Sequence, residues 1–115
     1  MAGNQQDESR RECNPLFNDR KLKLGTFCTN LDYGCAMSTI EGTLRISWPN
    51  TLELARIANE MDFEALVPVG RWRGFGGKTN FNGPGFETYA WAAGIGASVD
   101  RSAVFATSHV PTVHP

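Results

Sequence analysis

Apolar residues recur along this chain in two alternating rhythms. Leu22, Leu24 and Phe27 fall every two or three positions, which predicts a strand over 22–28 with Gly25 breaking the alternation. Leu54, Ile57, Ala58 and Met61 follow the i, i+3, i+4, i+7 spacing of one helical stripe, with Arg56 and Glu60 on the other side, so that stripe is expected to be buried. Asn50 after Pro49, with Glu53 three residues on, predicts the helix start. Phe63 to Val69 is nearly continuous in apolar character, the mark of a strand covered on both faces. Glu64 is expected at its solvated start, and Pro68 must end or bulge it, because proline has no N–H for the ladder. The alanine-rich run from Phe86 to Ser98 predicts a second helix, in which Gly94 and Gly96 permit close approach to a neighbouring backbone. After the turn at Asp100, Ala103 to Ser108 predicts a third strand, and residues 109–115 an extended tail.

Strand, helix, strand, helix, strand implies parallel strands joined by helical crossovers, hence an α/β class. Three parallel strands with two helices rarely close a domain, so the repeat is expected to continue beyond Pro115. Residues 1–20 are polar and read as a mobile leader, with the α/β portion occupying 21–115.

Two connections are unusually long. Residues 29–49, rich in Asn, Gly, Ser and Thr, leave the C-terminal end of the first strand, the end at which parallel sheets place their ligands. Residues 70–85 are rich in glycine and carry Arg71, Arg73, Lys78, Trp72 and Phe75. This second loop is not a P-loop, because the glycine that should begin one is Trp72. Nor is it a dinucleotide fingerprint: counting from Gly74 and Gly76, the third glycine should stand at Thr79. An anion or ring cradle and a plain glycine-rich lid both remain open readings.

Composition narrows the class. Eleven basic and twelve acidic residues leave a net charge of −1, so no basic excess points to nucleic acid or an anionic membrane. No apolar run approaches the ~18 residues of a membrane span, and the N-terminus lacks the apolar stretch of a secretory signal. Cys13, Cys28 and Cys35 are odd in number and form no C-x-x-C pair, so a reducing cytoplasm is the expected compartment. His109 and His114 have no carboxylate or thiolate beside them in sequence and read as loop histidines rather than metal ligands. No Ser–His–Asp or Cys–His nucleophile arrangement is apparent.

Three segments carry a family resemblance: the first strand with its long loop, Arg73–Thr79, and Ala106–Pro115. Over roughly residues 22–115 the chain resembles the N-terminal part of bacterial-luciferase-like flavin-dependent monooxygenases, in the branch of the pyrimidine oxygenases with sulfone and alkanesulfonate monooxygenases near it. The resemblance implies a (β/α)8 barrel, a TIM barrel of about 250 residues, of which this chain supplies the first third. It implies reduced FMN supplied by a separate NAD(P)H flavin reductase, and its use with O2 to oxygenate a small organic substrate. The full-length protein would then be a homo-oligomer.

On this resemblance Gly70 and Arg71 match the end of the second strand, where relatives contact the flavin. Relatives often carry histidine or lysine where Arg71 stands; a guanidinium holds its charge and is no ready base. Ala106 and Thr107 match the end of the third strand, against the isoalloxazine, where a non-proline cis peptide is familiar. Thr29 and Asn30 match the substrate side of the first strand's end. Catalytic residues are not assigned. A related flavin or deazaflavin oxidoreductase on the same barrel, and a non-catalytic α/β binding module, stay open. Strands cut from a barrel would leave one apolar side bare, so the 115-residue chain by itself is expected to be marginal or aggregating, and inactive.

Overall fold

A computed structural model describes residue 8, residues 12–109 and residue 111. Much of the polar leader and of the tail, His114 included, therefore lies outside the described residues. Three short strands, β1 (Gly25–Phe27), β2 (Ala65–Val67) and β3 (Ala103–Val104), form one parallel sheet in that order. Two helices, α1 (Trp48–Glu60) and α2 (Thr88–Gly96), are the crossovers. The strand–helix alternation read from the sequence is thus present, as a partial α/β fold.

Register fixes which residues share a face. Gly25 pairs Ala65, Phe27 pairs Val67, and Ala65 pairs Ala103. Between them Leu66 faces the helices and is fully buried with Ala55, Ala58, Trp91 and Ile95, with Val104 packed against the group. The opposite face carries Phe27, Val67 and Phe105, and Phe27 is 60% exposed. One side of the sheet therefore exposes apolar side chains.

Helix α1 begins three residues earlier than the sequence pattern indicated. Ser47, not Asn50, is the N-cap: its Oγ accepts from Asn50 N–H at 3.3 Å. Pro49 then sits in the first turn, where its missing N–H costs nothing. The buried stripe is also rotated from the one expected. Thr51, Ala55 and Ala58 face the core, while Ile57 and Met61 are 49% and 70% exposed and Leu54 stands at the margin. Apolar spacing marks a stripe without stating what lies across it. Here small side chains allow the helix to lie close to the sheet, and Thr51 bridges two elements: its hydroxyl donates to Thr29 O (2.9 Å) and accepts from Trp91 Nε1 (2.8 Å).

Two glycines of α2 differ from expectation. At Gly94 an added Cβ would meet the Trp48 ring at 2.4 Å, so the site accommodates an indole rather than a backbone, and nothing approaches Gly96 within 4 Å. Glu64 is buried rather than solvated. Its carboxylate accepts from Leu24 N–H (2.8 Å) and faces the Arg20 guanidinium at 3.3 Å. The Leu24 N–H first, then the other hydrogen bonds and Arg20, hold its pKa below the ordinary 4.5.

Candidate functional site at the C-terminal strand rim

All three strands run the same way, so the segments leaving β1, β2 and β3 emerge on one rim. There the two long loops clasp each other. Leu31 pairs Gly85 in an isolated antiparallel bridge, Asp32 N–H donates to Pro84 O (2.9 Å), and Phe86 N–H donates to Asn30 O (2.9 Å). A Cβ at Gly85 would come 2.1 Å from Leu31 Cδ2 and 3.1 Å from Asn30 O, so a side chain at this crossing would push the Leu31 side chain aside.

Asn30 is the strut of the rim. Completely buried, its amide donates to Val69 O (3.0 Å) and Phe86 O (3.1 Å) and accepts from Val69 N–H (2.8 Å). One side chain thereby ties the end of the first strand to the end of the second and to the approach to α2. Thr29 contributes its carbonyl to Thr51. Asn30 thus has its polar atoms turned into the protein, which makes it a positioning residue in this geometry.

Gly70 and Thr107 are brought together. Thr107 Oγ1 accepts from Gly70 N–H (3.1 Å) and donates to Pro68 O (3.1 Å). Thr88 Oγ1 at the start of α2 donates to Thr107 O (2.6 Å). Gly70, Arg71 and Thr107, with Leu31, Trp72, Phe86, Glu87, Tyr89 and His109, line a cleft of about 480 Å3. Ala106 stands exposed beside it in the chain but does not line it. None of the described peptide bonds is cis, at Ala106–Thr107 or elsewhere. Arg71 is exposed, its guanidinium 3.9 Å from the Phe75 ring centroid, a cation–π contact that leaves donors free at the cleft mouth. Glu87 is the N-cap of α2, and the N–H groups of Tyr89 and Ala90 (3.0 and 2.8 Å) hold its carboxyl below the ordinary 4.5.

The glycine-rich loop is knit by its own residues. Gly76 and Gly77 have φ of +74° and +73°, and Asn80 Oδ1 accepts from Gly76 N–H at 3.2 Å. Asn82 N–H leaves the loop to donate to Asp32 O (3.3 Å), which adds to the clasp with the first long loop. Several residues of the rim escaped the sequence reading. Asp32 is buried, accepts from Ile46 N–H (2.7 Å) and pairs with Arg45 (3.2 Å), which orders the first long loop. Thr88 and Thr51 also act here, and a threonine in the first turn of a helix beside a strand end was the one signal available for them.

A parallel α/β sheet with a cleft at its carboxyl rim, lined by glycine backbone, a cation and hydroxyls, has the geometry that strand-end small-molecule sites use. The relatives of the sequence are monooxygenases. It is 29% identical over 94 residues to pyrimidine monooxygenase RutA of Caulobacter sp. (strain K31), covering 82% of this chain and 27% of that protein. To the protein of the same name from Shigella flexneri it is 28% identical over 112 residues, 96% of this chain and 29% of the relative. The Acinetobacter baylyi protein is 27% identical over 94 residues. The resemblance to the luciferase-like monooxygenases is therefore shown, and the chain spans little more than a quarter of the length of these relatives. No family model and no solved structure matches the chain. No helix among the described residues is long and apolar enough to cross a membrane.

Proposed function

We propose that the described residues are the first three strands of a (β/α)8 barrel in an FMN-dependent, two-component monooxygenase, and that the strand rim holds the flavin ring. The observation that carries this reading is the convergence of Gly70, Arg71 and Thr107 on one cleft at the carboxyl ends of neighbouring strands. Pyrimidine monooxygenases as relatives support the same class.

The residues present fit a flavin ring. A Cβ at Gly70 would come 3.3 Å from Thr107 O, so a side chain there would crowd the backbone that a planar ring must approach. The cleft of about 480 Å3 falls within the ~300–1,000 Å3 usual for small-molecule sites. Leu31, Phe86 and Trp72 offer apolar surface. Arg71 supplies a fixed cation for an electron-rich carbonyl edge, and Thr107 locks the β2 and β3 ends at one separation. When bound, reduced FMN supplies the oxygen-activating chemistry. The chain's part is to orient the ring and exclude water. In (β/α)8 barrels the phosphate site follows strands seven and eight, so we place the phosphate outside these residues. A separate flavin reductase, O2 and a small organic substrate complete the reaction, in a homo-oligomer of the reducing cytoplasm.

An FMN fluorescence titration of the intact protein tests this. Saturable quenching is expected, and Arg71→Ala should weaken it about tenfold, the loss of one charge-assisted contact of ~1.5 kcal/mol. Oxygen uptake driven by NAD(P)H and a flavin reductase should require the protein's substrate. FMN affinity indifferent to Arg71→Ala and Gly70→Val alike would sink the assignment.

A further inference from the structure

We propose that Cys28 and Cys35 form a redox-active dithiol, which closes to an intramolecular disulfide when a hydroperoxide oxidises the exposed Cys35. The two thiols are folded onto each other by the turn after β1. Cys28 Sγ donates to Gly34 O at 3.2 Å, and Cys35 Sγ lies 3.9 Å from Phe27 O. Each sulfur thus rests on the carbonyl that precedes the other cysteine. The turn is tight: Gly34 N–H donates to Leu31 O (3.0 Å), Ala36 N–H donates to Tyr33 O (2.9 Å), and Tyr33 and Gly34 have φ of +66° and +53°. Both thiols are free in this structure, and six residues lie between them in sequence.

The environments set the order of events. Cys35 is exposed and Cys28 is buried, so a dissolved oxidant meets Cys35 first. Burial, then the neighbouring Cys35, pushes the Cys28 thiol up to about 11, against the opposing pull of Arg71 and Asn82; it stays protonated and protected until its neighbour becomes electrophilic. The hydroperoxide transfers one oxygen to Cys35 Sγ, giving a sulfenic acid and water (or an alcohol). Cys28 then loses its proton, its sulfur attacks Cys35 Sγ, the S–O bond breaks, and hydroxide leaves and takes up that proton as water. The two thiols lose two electrons, and the peroxide gains them. The closed ring spans Leu31, which lines the cleft and is bridged to Gly85, so the crosslink fixes one wall of the rim.

The test is a thiol census after exposure to stoichiometric hydrogen peroxide, in the protein with Cys13→Ser so that its third, exposed thiol is absent. We expect both remaining thiols to be lost together, a mass decrease of ~2 Da, and an unreduced peptide joining Cys28 to Cys35 that dithiothreitol separates. In Cys35→Ser, an exposed substitution that leaves the buried position intact, Cys28 should remain fully alkylatable when the protein is unfolded in denaturant after the same treatment. Cys35 advancing to sulfinic acid beside an intact Cys28 thiol would overturn the proposal. So would disulfides that join two molecules through Cys35, or loss of the Cys28 thiol in Cys35→Ser.

Discussion

At the scale of single residues, Asn30 decides most. Replacing it with alanine removes the side-chain partner of the Val69 N–H and of two carbonyls, so Asn30→Ala should cost about 2–4 kcal/mol in urea unfolding. Thr26 behaves in the opposite sense. Its buried hydroxyl has no hydrogen-bond partner, so the nearly isosteric Thr26→Val should stabilise the chain by about 0.5–1.5 kcal/mol. Beside Asp100, whose carboxyl the Asn59 amide holds below its ordinary 3.8, acid sensitivity belongs to Glu64 and Glu87. Both have folded pKa values below their ordinary 4.5, so each stabilises the fold fully above that value. That contribution is lost as the pH falls through the lower folded value. Stability followed by circular dichroism should therefore decline below about pH 4.5, and Glu64→Gln should flatten the decline. The sequence places Gly70, Thr107 and Asn30 at strand ends because glycine and small polar residues follow apolar runs. That Asn30 turns inward depends on Val69 and Phe86, which are 39 and 56 residues away. No local pattern encodes such a pairing.

Among the elements, α2 offers a pair of opposed substitutions. Gly96 has open space around it, so Gly96→Ala should stabilise by up to ~1 kcal/mol through helix propensity. At Gly94 the same gain meets a rigid ring at 2.4 Å, and overpacking costs about 1–3 kcal/mol, so Gly94→Ala should be neutral to destabilising. Tryptophan fluorescence separates the two, since only Gly94→Ala displaces Trp48. Element type and order were legible because strand runs and helical stripes differ in period. Boundaries were not: Ser47 took the cap from Asn50, since Pro49 fits the first turn as well as the position before it. The buried face of α1 was misread because Thr51 and Ala55 are too small to stand out in a hydropathy pattern, although small size is what brings the helix close. The clasp of the two loops at Leu31 and Gly85 has no signature beyond the glycine itself.

The whole molecule is a sheet with one covered face. Phe27 and Phe105 on the other face, and Ile57 and Met61 on α1, are exposed. On a (β/α)8 reading the first pair points into the barrel and the second toward a neighbouring helix. The 115-residue chain should accordingly associate with rising concentration in analytical ultracentrifugation, and Phe27→Glu should reduce that association without unfolding it, Phe27 lying outside the buried core. On the reading proposed above, strand polarity confines the flavin to the carboxyl rim. Amide hydrogen exchange of the intact protein with and without FMN reads that directly. Exchange should slow at residues 70–72 and 107–109 and stay unchanged at the opposite strand ends near Leu24, Phe63 and Ser102; slowing at those opposite ends, or at neither rim, would contradict the account.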